Sequence, residues 1–215
     1  TPDGTRLLVA GDGSGVRVFD TELPGAGYLN IPARDSATPS PDFSTIAYSS
    51  PDASHANDGR VFFRDTATGT HLSSAALGGS WPPTGGLLWS PDHAWLLRVQ
   101  PHVGLGLLRL SDQSEHHMES DRGWDRCEFL PDGTHLLACR TGGLDILTLP
   151  GLEVEREIPL RCPPADGHRL AAMVADGRIV VRHSEPGKSA TVAVLDWPSA
   201  REVARWECRD LLEAF

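Results

Sequence analysis

Lysine is almost missing from this chain: Lys188 stands alone beside 18 arginines, and 19 bases face 29 acids for a formal charge of −10. That balance repels a phosphate backbone and lacks a basic footprint, so nucleic acid is not an expected partner. Long apolar runs are lacking too. The longest stretch free of Asp, Glu, Lys and Arg, residues 66–91, is filled with Gly, Ser, Thr and Pro. It does not read as a spanning helix, and no membrane insertion is expected. Cys127, Cys139, Cys162 and Cys208 form no CxxC pair and no regular framework. In a chain this long they read as buried reduced thiols, while the even count leaves disulfides open. No basic-then-apolar leader opens the chain, which begins at Thr1. The expected location is the cytoplasm, with the envelope or periplasm as the alternative.

What is present is turn chemistry. The 215 residues include 22 glycines and 17 prolines, and 40% are apolar, the balance of a globular chain whose backbone reverses often. Plentiful Ala, Gly and Pro with one lysine is also the usage of a GC-rich bacterial genome. One turn recurs: Thr1-Pro2-Asp3-Gly4, Ser40-Pro41-Asp42-Phe43, Ser90-Pro91-Asp92-His93, Leu130-Pro131-Asp132-Gly133 and Val174-Ala175-Asp176-Gly177, at intervals of 39, 50, 40 and 44 residues. Proline presets φ, Asp bonds its own backbone and Gly takes a positive φ.

The flanks repeat as well. An apolar pair follows each turn (Leu7-Leu8, Ile46-Ala47, Leu96-Leu97, Leu136-Leu137, Val180-Val181), as in a strand buried on both faces. Pro39, Trp89, Phe129 and Met173 stand two residues before it, so each turn joins two strands. Glycine-bearing hairpin signals lead into third apolar runs such as 16–19, 61–63 and 146–149. More polar fourth runs follow at 27–31, 71–77, 115–119, 153–158 and 202–207. Four short strands in a unit of about 43 residues make the blade of an all-β propeller, and a lone blade cannot bury both faces, so one domain over 1–215 is expected.

The repeat resembles WD40 and TolB-like (PD40) propeller units, whose first two strands are joined by a Ser-Pro-Asp-Gly turn. Asp65-Thr66-Ala67-Thr68-Gly69-Thr70 resembles the family turn between third and fourth strands, and Phe19-Asp20 stands where a Trp-Asp dipeptide would be. No unit ends its third strand in Trp-Asp, and Gly-His occurs once, at Gly167-His168, so the family's buried His, Ser/Thr, Asp and Trp network has no assignable counterpart. The segment 210–215 looks like a first strand that lacks its turn, complementing a first unit that begins on one. Closure into a five-bladed ring and truncation of a longer array explain this equally.

Several constellations fail their context tests. Gly11-Asp12-Gly13-Ser14-Gly15 is followed by a strand, not a helix, and reads as a hairpin rather than a phosphate loop. Neither it nor Gly78-Gly79-Ser80-Trp81-Pro82 fits a nucleophile elbow. The segment 52–59 gathers oxygen ligands but lacks the sixth-position Gly and closing acid of a calcium loop. Glu115 and His117 share a strand face, but no second cluster in the sequence completes a metal site, so neither metal nor cofactor is expected. Seven of the 29 acids belong to the repeated turns and the 52–59 loop. Without them the charge is −3, so the acidity is turn chemistry rather than an acidic face.

The family orientation places the loops joining fourth to first and second to third strands on one face. Those loops carry Trp81, Trp124, His55, His102, Asp121 and Arg122, the candidate binding residues, because Trp and Arg on variable loops are frequent anchors. Trp81 and Trp124 packing between blades is the alternative. The expected function is a rigid protein–protein or peptide interaction scaffold, a module of a larger bacterial protein and not an enzyme. The rivals are a propeller of, or gating, a peptidase, kinase or lactonase-like enzyme, and a TolB-like envelope protein.

Overall fold

The computed structural model describes residues 6–11, 15–20, 28–31, 37–49, 59–77, 86–100, 103–119, 122–124, 126–140, 142–160, 169–175, 177–184 and 190–208. Among them every regular element is a strand, grouped in five antiparallel meanders. The first holds β1 (Arg6–Gly11), β2 (Gly15–Asp20) and β3 (Tyr28–Ile31); the second β4 (Ala37–Pro39), β5 (Thr45–Ser49), β6 (Arg60–Asp65) and β7 (His71–Ala76). The third holds β8 (Gly86–Trp89), β9 (Trp95–Gln100), β10 (Gly104–Arg109) and β11 (Glu115–Glu119). β12 (Arg126–Phe129), β13 (His135–Arg140), β14 (Gly143–Thr148) and β15 (Glu153–Pro159) make the fourth. The fifth is β16 (Arg169–Ala175), β17 (Arg178–Ser184), β18 (Ala190–Asp196) and β19 (Arg201–Cys208). The complementary segment 210–215 and the turn at 1–4 lie outside the described residues.

The strands form where the repeat places them because the apolar pair after each turn is what the sheets bury. Ile46, Ala47, Leu96, Leu97, Leu136 and Leu137 are each wholly buried, so these second strands are covered on both faces. The turns before them share one hydrogen-bond pattern: Phe43, His93 and Gly133 each donate backbone N–H to the carbonyl three residues back, at Ser40, Ser90 and Leu130. All three lie in the left-handed region, at φ 60°, 61° and 68°. The turn aspartates accept the N–H two residues on, at Ser44, Ala94 and Thr134.

The fifth turn differs. Ala175 pairs with Arg178, leaving two residues between the strands, whereas the other described turns close on Ser40–Thr45, Ser90–Trp95 and Leu130–His135 with four. An Asp-Gly hairpin needs no longer loop. Leu149 falls in a turn beyond β14 rather than ending it.

A feature that composition hides recurs on the edge strands. The β6–β7, β14–β15 and β18–β19 ladders each shift register once, and the extra residues are Leu72, Glu155 and Val203. A β-bulge of this kind re-aims the side chain it expels from the ladder. Leu72 and Val203 are accordingly exposed, at 53% and 47%.

The chain divides into two compact units, one of residues 1–100 and 105–119, the other of 101–104 and 120–215. In the first, the second and third meanders pack through Ala47, Val61, Phe63, Ala75, Leu96 and Leu108. In the second, the fourth and fifth pack through Leu137, Cys139, Ile146, Ile158, Ile179 and Leu195. Cys127 and Cys139 are buried, and burial pushes the Cys127 thiol well above its ordinary range. Cys162 and the Cys208 side chain lie outside the described residues.

Candidate functional site

Of the six candidate binding residues, Trp81, His55, His102 and Asp121 lie outside the described residues, while Arg122 and Trp124 are described. These two converge on a carboxylate that the sequence reading did not single out. Asp145 sits in the middle of β14, opposite Ala138 of β13 and Glu157 of β15, so the three share one sheet face. Arg140, two residues beyond Ala138, joins that face. Asp145 is fully buried and accepts from Trp124 Nε1 at 2.8 Å, Arg140 Nε at 2.9 Å and Arg122 Nη1 at 3.4 Å. Glu157 accepts from the same two arginines, from Arg122 Nη1 at 2.8 Å and Arg140 Nη2 at 3.1 Å.

The physical logic is that of a buried charge made tolerable. A carboxylate removed from water costs several kcal/mol unless paired and hydrogen-bonded, and Asp145 has two guanidiniums and an indole N–H around it. The Glu157 carboxylate in turn raises the Arg122 guanidinium pKa, with Asp145 adding to the effect. The result fixes the segment 122–124, which precedes β12, against the middle of its own sheet. Trp124 is only 2% exposed, and its indole N–H is tied within its own sheet. Arg122 keeps its side chain 36% exposed while held. The signal for Asp145 was present in Leu144-Asp145-Ile146-Leu147, a charge inside an apolar strand, but Trp124 and Arg122 lie 21 and 23 positions away.

The other unit solves a similar problem differently. Arg98, at the position of β9 that Ala138 occupies in β13, is fully buried, and burial lowers its pKa. Its Nη1 donates to the carbonyls of Leu77 at 2.8 Å and Gly59 at 3.3 Å, tying the ends of two loops together. Glu115 and His117 meet at 2.8 Å on β11, as their shared face predicts. No group of three or more His, Cys, Asp or Glu side chains placed to hold a metal occurs among the described residues, and no described helix is long and apolar enough to cross a membrane.

No protein-family description matches the chain, and no curated protein matches it in sequence. Among solved structures it is similar to the crystal structure of the Cps50 (Swd1) β-propeller domain from Myceliophteria thermophila, with a TM-score of 0.63 at 15% identity, over 95% of this chain and 68% of that one. The fold is that of a β-propeller. At that identity the likeness carries the architecture alone, and the four-stranded meanders are its blades.

Proposed function

We propose that this β-propeller is a rigid interaction platform of WD40-like type, a module of a larger bacterial protein, whose loop face presents Arg122 to a protein or peptide partner. The observation that supports the reading is the Asp145 cluster. It anchors the segment 122–124 through Trp124 and Arg140, yet leaves the Arg122 side chain 36% exposed. A cation held in one place on a packed scaffold binds without first having to be ordered, which is the usual division of labour between loops and blades.

The test is capture of cross-linked partners from the producing cells, followed by titration of the purified partner against wild type and Arg122→Glu. Retention of a stoichiometric partner whose binding weakens by roughly tenfold or more in the variant, measured below the melting temperature that the added carboxylate beside Asp145 and Glu157 lowers, is the expected result. A partner that binds both proteins equally refutes the role of this face.

A further inference from the structure

Where the second and third blades meet, a cavity of about 280 Å³ opens beside the edge strand β7. Phe63, Ala75, Trp89 and Leu108 line it, and the rings of Phe63 and Trp89 meet edge-on at 5.9 Å. Leu72, the bulged residue of β7, lines it too, with Leu110, Thr45, Ser73 and Gln113, and no charged side chain is among the lining residues.

One other junction of the repeat shows a ring in the equivalent place. At the junction of the fourth and fifth blades the equivalent positions are identified by the same backbone bonds. Leu110 N–H donates to Ala94 O and Trp197 N–H to Gly177 O, while Gln113 and Ala200 share a positive φ, 58° and 57°. There Phe63, Ala75 and Leu108 have as counterparts Ile146, Ile158 and Leu195, all in one core. Leu110 corresponds to Trp197, whose indole packs on that core and meets the His135 ring at 5.9 Å. The second-to-third junction therefore has Ala where its twin has Ile and Leu where its twin has Trp, while Phe63 and Trp89 stand where the twin has Ile146 and, in sequence, Met173. At the Leu110 position the ring that Trp197 supplies in the twin is absent.

We infer that this cavity and the free edge of β7 bind an extended peptide, whose aromatic side chain, Trp or Tyr, takes the place that Trp197 occupies in the other junction. The volume lies just under the roughly 300–1,000 Å³ of small-molecule sites and suits one large side chain. Thr45, Ser73 and Gln113 offer polar groups for the indole N–H or phenol O–H that such an anchor carries. Among the described residues β7 pairs only with β6, so a peptide strand can add along it, its side chains alternating between the two sheet faces. On the face away from the cavity, Arg60 is exposed and donates to Ser74 Oγ of β7 at 3.2 Å. In a chain of net charge −10 that cation selects an acidic residue next to the aromatic anchor.

The inference rests on the platform reading but concerns a different surface from Arg122, so the two fail separately. A random peptide library is selected against the full chain, and the enriched peptides are titrated against wild type, Leu110→Trp, Leu72→Glu and Arg60→Glu. Enriched sequences should pair Trp or Tyr with a neighbouring acid. Leu110→Trp fills the cavity from within and should abolish binding at a wild-type melting temperature. Leu72→Glu, at an exposed position, tests the same rim if the first variant misfolds, and it and Arg60→Glu should each weaken binding roughly tenfold or more. Enrichment of no peptide, or of peptides that bind the folded variants as well as wild type, overturns the inference and leaves the Arg122 surface untouched.

Discussion

Replacing Asp145 by Ala removes the centre of the polar cluster, and the cost follows from what it strands. Trp124 Nε1–H, on a side chain 2% exposed, loses its acceptor, and an orphaned buried donor costs about 1–3 kcal/mol. Arg140, 22% exposed, loses the Oδ1 bond but keeps Glu157, so its charge is only partly uncompensated. Breaking one side of a buried ion pair costs about 3–5 kcal/mol. The remaining Glu157 contacts and the partial exposure of both arginines place Asp145→Ala near the lower bound. For a chain of this length, about 3 kcal/mol lowers the melting temperature by about 6–12 °C. Trp124→Phe, which keeps the ring and deletes the donor, should cost about 1 kcal/mol, and Glu157→Gln, at a half-exposed site, less than about 1 kcal/mol. Urea unfolding followed by tryptophan fluorescence orders the three. An Asp145→Ala protein within about 1 kcal/mol of wild type would refute the claim that this carboxylate fixes the segment.

Other expectations follow from the turns and the interior. Space around Gly177 is open and its φ is +69°, so Gly177→Ala should lose about 1 kcal/mol from the backbone alone, while His93→Gly, relieving a φ of 61°, should gain stability; thermal unfolding reads both. The Ser40 hydroxyl, then the Ser44 N–H, hold the Asp42 carboxyl down at about 2. Asp92 and Asp132 are also lowered, because hydrogen bonds from Ser90 and Ala94, and from Thr134 and His135, outweigh the upward push of burial. Carboxyls lowered by folding stabilise above their unfolded pKa and lose that contribution as pH falls through the folded one. Stability should therefore decline from about pH 5 toward pH 2, and Asp42→Asn with Asp92→Asn should flatten the profile. Burial raises the Glu128 carboxyl against the opposing pull of Arg126, so Glu128→Gln should raise the melting temperature at pH 7.5 and change it less at pH 4.

The blades were legible because their signals are local. A Pro-Asp turn and the apolar pair after it lie within a few residues of each other, and the wholly buried Ile46-Ala47, Leu96-Leu97 and Leu136-Leu137 stand where that spacing puts them. What escaped the reading depends on residues far apart. Asp145 and Trp124 are 21 positions apart and meet only when the sheet forms, so Trp124 could be assigned to a loop but not to its interior side. The bulges at Leu72, Glu155 and Val203 arise from register between strands, which no single strand encodes. The cavity beside β7 becomes visible only when Ala75 and Leu110 are set against Ile158 and Trp197, a comparison that needs the repeat aligned by its hydrogen bonds.

The central claim, that packed blades present a ready-made peptide site at the β7 edge, is tested most directly by amide hydrogen exchange on the full chain with and without a selected aromatic, acidic peptide. The account predicts that slowing is confined to residues 71–76 and the neighbouring rim at 110–113, with β9 and β13 equally protected in both states. Slowing spread across the blades, or none at 71–76, would contradict it.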